Sequence, residues 1–258
     1  MKQAFGTIVI ILEIVIGFVI WSVILGNPDN FMDPATKHEP SNTMGMIYTG
    51  GPLVSLLIAF ILMAITFTIE RALSISKAKG KHNPSVFIKN VINALTKGDL
   101  DAAIDLCDKQ RGSVANVLRA AIVRFKDVED DPEFPGEKKV AEVQRSIDEA
   151  MNLETPLLEK NLVILSTIAS VSVLVGLLGT TVGMIRAFRA LALSGTVSAT
   201  QLSIGISEAL YNTAGGLIGA IIAIVAYNYF TTKVDNFVYM IDEAILNITQ
   251  IFTVRIKK

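Results

Sequence analysis

The sequence predicts an all-α integral membrane protein: four transmembrane helices, the last two long and extending into the cytoplasm, and a helical cytoplasmic domain. Three observations carry this reading. Of 258 residues, 51% are apolar and only 18% charged, whereas a water-soluble domain carries about 25% charge. Mean hydropathy is positive, at +0.51. The apolar residues also gather into four stretches that suit a hydrocarbon core of about 30 Å, which needs roughly 20 helical residues. The same numbers exclude other classes. A single cysteine, Cys107, rules out a disulfide framework, and 23 basic against 24 acidic residues rule out a basic nucleic-acid binder. A disordered chain would lack this hydrophobicity.

The first transmembrane segment (1–26) rests on Thr7 to Leu25, interrupted only by Glu13 and hydroxyls. Lys2 precedes it as in a secretion signal, but the run exceeds a signal core of about 7 to 15 residues. Ile24-Leu25-Gly26-Asn27-Pro28 also lacks a small-x-small cleavage site. An outer loop (27–51) leads to the second segment (52–70), built on Leu53 to Ile69 and extendable backward through Met44, Met46 and Ile47. A cytoplasmic helical domain (71–155) follows. In it Asn83-Pro84, Gly98, and Asp99 or Ser113 read as helix caps and stops, and Pro132 with Pro135-Gly136 breaks an acidic turn. From Glu137, Val140, Val143, Ile147 and Met151 recur at helical spacing. Thr155-Pro156 is expected to restart a helix running straight into the third segment (156–192), whose apolar core is Leu162 to Ile185. A short outer loop (193–203), the fourth segment (204–230) and a cytoplasmic extension (231–258) complete the chain. In the extension Val234, Phe237, Ile241, Ala244, Ile248 and Phe252 continue one helical face past the bilayer.

Basic residues near the membrane ends set the orientation. The loop 27–51 carries only Lys37, whereas Arg71, Lys77, Lys79, Lys81 and Lys89 follow the second segment, and Lys138, Lys139, Arg145 and Lys160 precede the third. Lys233, Arg255, Lys257 and Lys258 mark the C-terminal part. Both termini and the middle domain are therefore expected in the cytoplasm, with Arg186 and Arg189 as outnumbered counter-signals.

Soluble chemistry is absent. No Gly-x-x-x-x-Gly-Lys-Ser/Thr phosphate loop occurs, Lys79-Gly80-Lys81-His82 being the nearest approach. His38 and His82 fall on opposite sides of the membrane as oriented here and read as solvated surface. We expect no enzyme, no cofactor and no metal, since no nucleophile-base pair or ligand cluster lies in the spans.

Polar groups at membrane depth invite explanation, because they are costly there. On the third segment Gly176, Gly179 and Gly183 share a face. On the fourth, Gly205, Asn212, Gly216, Gly219 and Ala223 do so. Small residues on one face let helices approach closely, and packing is the reading for Gly176, Gly179, Gly183, Gly216 and Gly219. Thr180 and Thr213 admit two readings: hydroxyls of a water-bearing pore in a ring of copies, or hydroxyls that bridge helices. A threonine cannot titrate. Only Glu13 and Glu208 supply carboxylates inside the segments, so either Glu208 acts near the outer mouth or a second protein brings the acid.

The strings Leu177-Leu178-Gly179-Thr180-Thr181-Val182-Gly183-Met184 and Ile204-Gly205-Ile206-Ser207-Glu208-Ala209-Leu210-Tyr211-Asn212-Thr213-Ala214-Gly215-Gly216-Leu217 resemble the signature of the MotA/TolQ/ExbB proton-channel family, most nearly its ExbB members. The likeness runs from about Arg71 to the C-terminus; ExbB-like members commonly have three spans, so the first span here departs from the pattern. The resemblance implies a homopentamer in the inner membrane of a Gram-negative cell, enclosing two single-span ExbD-like subunits whose membrane aspartate carries the proton. It implies that Thr180 and Thr213 face that pore, with Glu208 near its outer part, and that proton flow drives a TonB-like energy transducer. A TolQ-like or a gliding- or flagellar-stator-like role shares the motif, and a non-conducting scaffold is the alternative of another class. Two hydroxyls offer few oxygen ligands for sodium, which favours protons.

Overall fold

The computed structural model describes residues 2–35, 37, 39–132, 134–194 and 199–256, of which 2–5, 190, 193–194 and 199–201 by their backbone alone. His38, Lys257, Lys258 and part of the outer loop 193–203 lie outside the described residues. Nine α-helices form among them: α1 (Lys2–Val19), α2 (Thr43–Tyr48), α3 (Leu53–Ala78), α4 (Pro84–Thr96), α5 (Leu100–Gln110), α6 (Ser113–Glu129), α7 (Gly136–Glu159), α8 (Leu162–Ser194) and α9 (Ala199–Ile256). No strand occurs among the described residues. Four helical stretches are long and apolar enough to cross a membrane, the first of them Gly6–Leu25. α9 runs unbroken for 58 residues, more than twice what a bilayer requires.

The chain divides into two compact units, Met1–Ile69 with Val163–Asn228, and Glu70–Leu162 with Tyr229–Lys258. In the first, α1 lays one narrow face on α3. A Cβ added at Gly17 would stand 2.5 Å from the Ser55 carbonyl oxygen and 3.1 Å from the Ala59 Cβ, so the backbones approach as only glycine permits. Buried Glu13 lies on the same face, its Oε2 without a hydrogen-bond partner. Elsewhere on α1, Ile8, Leu12, Val15 and Phe18 are exposed, as suits contact with acyl chains. At its C-terminal end α1 widens into a π-helical turn, Ile20–Leu25, and meets a compact cap. Trp21 stacks on Tyr48 at 4.9 Å, Phe31 meets Tyr48 edge-on, and Lys37 Nζ donates to the Gly26 carbonyl at 2.7 Å. The backward extension through Met44, Met46 and Ile47 becomes a separate helix, α2, because the chain turns between Thr49 and Pro52 with Gly51 at φ +80°.

In the second unit α4 to α7 and the end of α9 form a bundle. Asn83 caps α4 by accepting from Ser85 N–H, and Asp99 caps α5 by accepting from Ala102 N–H. Ser113 is the first residue of α6 and makes no side-chain cap, since Gly112 holds the capping position. Val117, Leu118, Ile122, Phe125, Val143 and Ile147 are fully buried, and Phe125 stacks on Phe252 of α9 at 4.0 Å. Thr155-Pro156 does not restart a helix: Pro156 lies inside α7, and the break falls at Lys160-Asn161, where Asn161 adopts φ +63°. The break is pinned. Asn161 Nδ2 donates to Glu70 at 3.1 Å, Glu70 takes a two-point contact from fully buried Arg71, and Arg71 Nη1 donates to the Leu158 carbonyl.

Candidate functional site

The third and fourth membrane helices meet along their glycines. A Cβ at Gly176 would stand 3.0 Å from the Asn212 carbonyl oxygen and 3.2 Å from Gly216 Cα; one at Gly183 would stand 2.9 Å from both Ala209 N and the Gly205 oxygen. At Gly179 it would overlap the Asn212 side chain, at Gly216 it would reach the Ser172 carbonyl oxygen at 2.7 Å, and at Gly219 the Ser172 hydroxyl at 2.5 Å. Ser172, fully buried, donates to the Gly216 carbonyl at 3.0 Å. Small residues thus bring α8 and α9 close enough for backbone polar groups to take part.

Asn212, on the small-residue face of α9, is the structural centre of this contact. It is fully buried, and its Nδ2 donates to the Gly50 carbonyl at 2.7 Å and to the Glu208 carbonyl at 3.0 Å. It thereby ties α9 to the turn before α3 while filling the gap at Gly179. Sequence reasoning placed Asn212 on the right face but gave it no task. Its spacing of four from both Glu208 and Gly216 was the available signal.

Glu208 is buried and ion-paired: Arg186 Nη1 stands 2.5 Å from Glu208 Oε1. Gly51 closes over the pair. A Cβ there would lie 2.9 Å from Glu208 Oε1 and 3.4 Å from Arg186 Nη1, and at φ +80° a side chain would be strained besides. Arg186, read from sequence only as an orientation signal, is therefore the residue that compensates this acid.

The two threonines differ. The Thr180 hydroxyl donates to the Leu177 carbonyl at 2.6 Å on the partly exposed side of α8. The Thr213 hydroxyl oxygen is buried and makes no hydrogen bond, although its Cα lies beside Gly176. Thr180 is four residues beyond Gly176, so the two threonines occupy the α8–α9 pair within about one helical turn of each other. Glu208 does not join them: five residues before Thr213, it points about 140° away around α9. The geometry is thus a hydroxyl-bearing pair of apolar helices whose own acid is already neutralised. Such a pair can place oxygens beside a charge carrier, but in Thr180 and Thr213 it holds no group that titrates.

These features define a multi-pass helical membrane protein with a polar stripe on closely packed helices. Residues 111–243 match the model of the MotA/TolQ/ExbB proton channel family, and the chain belongs to that family. It is 35% identical to the Tol-Pal system protein TolQ of Pseudomonas aeruginosa over 120 residues, 46% of this chain and 52% of that one. An ExbB-like biopolymer transport protein of Synechocystis is 30% identical over 183 residues, 70% of this chain and 81% of the relative. The biopolymer transport protein ExbB of Helicobacter pylori is 42% identical over 87 residues, 34% and 58% of the two chains. Against the TolQ proteins of Pseudomonas aeruginosa and Haemophilus influenzae the chain spans about half of each relative's length.

Proposed function

We propose that this chain is an ExbB-like subunit of a proton channel and motor of the bacterial inner membrane, with its middle domain and both termini in the cytoplasm. Copies of it, five by family resemblance, surround single-span ExbD-like subunits, and the assembly passes the work of proton flow to a TonB-like transducer. Thr180 and Thr213 line the ring wall, while Glu208 fixes its outer end through Arg186. The observation that carries this reading is the compensation of Glu208: the acid on the α8–α9 wall is committed to an arginine of the same chain, so the proton carrier belongs to a partner. The need for copies has its own support in the second unit. There Leu153, Leu157, Tyr239, Leu246 and Val254 are large, apolar and at least 57% exposed, on segments that this orientation puts in water, where neighbouring copies would cover them.

The test is reconstitution of the chain with its ExbD-like partner in vesicles holding a pH-sensitive dye. Partner-dependent proton flux is expected, with loss of flux in Thr180→Val and Thr213→Val while the assembly stays intact. Normal flux in both variants removes the threonines from the pathway. Absence of flux with an intact assembly favours a non-conducting scaffold.

A further inference from the structure

A cleft of about 510 Å³ opens in the second unit between the end of α3, the start of α4 and the middle of α9. Its floor is apolar: Pro84, Phe230 and Phe237 are buried. Two exposed lysines stand at it, Lys79 and Lys233, with Asn83 and Asn236 between apolar neighbours. Lys233 Nζ lies 5.5 Å from the centre of the Tyr229 ring, and among the described residues neither ammonium makes an ion pair.

We propose that this cleft binds an anionic glycerophospholipid of the inner leaflet, the phosphate between Lys79 and Lys233 and the upper acyl chain over the apolar floor. The proposal rests on the orientation given above. The second membrane segment ends near Ile69 and the fourth near Phe230, so the cleft falls on the first turns past the acyl region. Tyrosine and lysine partition to that interface, and anionic headgroups gather there. Two uncompensated cations at a membrane boundary match one phosphodiester. The buried aromatic floor gives a lipid an additional contact that free phosphate cannot make.

The test titrates the purified full chain, in a mild detergent, with phosphatidylglycerol, with phosphatidylcholine of the same acyl chains and with glycerol 3-phosphate, reading bound molecules by native mass spectrometry. Phosphatidylglycerol is expected to bind more tightly than either alternative. Each lysine near an anionic surface contributes about 1 kcal/mol, so Lys79→Gln/Lys233→Gln should weaken phosphatidylglycerol about 25-fold. Lys79→Arg/Lys233→Arg should retain it, as should Lys77→Gln/Lys81→Gln. Equal binding of phosphatidylcholine, full binding by the double glutamine variant, or equally tight binding of glycerol 3-phosphate would each overturn the site. Partner-dependent proton flux, measured separately on the unaltered chain, reports on the proposed function without reference to the cleft.

Discussion

Removal of the arginine that compensates Glu208 is the sharpest perturbation of the α8–α9 pair. Arg186 Nη1 and Glu208 Oε1 are 2.5 Å apart, with the two side chains 55% and 7% exposed. Charge centres at about 4 Å attract by roughly 4 kcal/mol at an effective dielectric of 20. Solvent around the half-exposed guanidinium and the cost of ordering it reduce the net coupling to about 2 kcal/mol. Arg186→Met strands a buried carboxylate and should cost about 2 to 3 kcal/mol, whereas Glu208→Gln leaves a cation that water still reaches and should cost about 1 to 2. The Arg186→Met/Glu208→Gln double variant should fall short of the sum by about 2 kcal/mol. Unfolding in mixed micelles, titrated with a denaturing detergent, supplies the four free energies of the cycle. Additivity within about 0.5 kcal/mol would show that the pair is not coupled and would refute the reasoning.

Gly179→Ala should destabilise by about 2 to 3 kcal/mol, because the new methyl overlaps Asn212 and forces α8 from α9; Gly6→Ala, with nothing within 4 Å, is the neutral control in the same unfolding assay. Burial pushes the Cys107 thiol up to about 12, so alkylation at pH 8 should run about a thousandfold slower than for a free thiol and recover on denaturation; labelling of the native protein at the free-thiol rate would contradict this. The Arg124 guanidinium, hydrogen-bonded to Glu142 at 2.5 Å, holds that carboxyl below its ordinary 4.5. A lowered folded-state value means stability that is present above pH 4.5 and lost as pH falls through the folded value. Glu142→Gln should therefore be less stable than the unaltered chain at pH 7, the gap should shrink as pH falls below 4.5, and a gap that does not narrow in acid would count against the pair.

Much of this architecture is legible in linear order, and the illegible remainder has a common cause. Four long apolar stretches announce themselves because hydropathy is a property of some 20 consecutive residues. The glycine faces at 176, 179 and 183 follow from helical period alone, as do the caps at Asn83 and Asp99. Hidden from the sequence were the partner of Glu208, the task of Asn212 and the left-handed Asn161 that ends α7. Each depends on a group far away along the chain: Asn212 finds the Gly50 carbonyl 162 residues off, and Asn161 finds Glu70 at a separation of 91. Pro156 misled for the converse reason. A proline near the end of a helix can be carried when the last turn is held elsewhere, here by Arg71 on the Leu158 carbonyl.

The sequence by itself determined the solvent this chain requires, the helices that can cross it and the faces along which they can touch, because transfer free energy and helical period act over short spans. Only the tertiary structure decided which buried polar atoms are compensated and by whom. It gave Glu208 to Arg186, gave the Asn212 amide to the Gly50 carbonyl, and left the Thr213 oxygen without a hydrogen bond. In a medium with no water to complete a hydrogen bond, such pairings depend on which distant segments meet, and spacing along one helix carries no record of that.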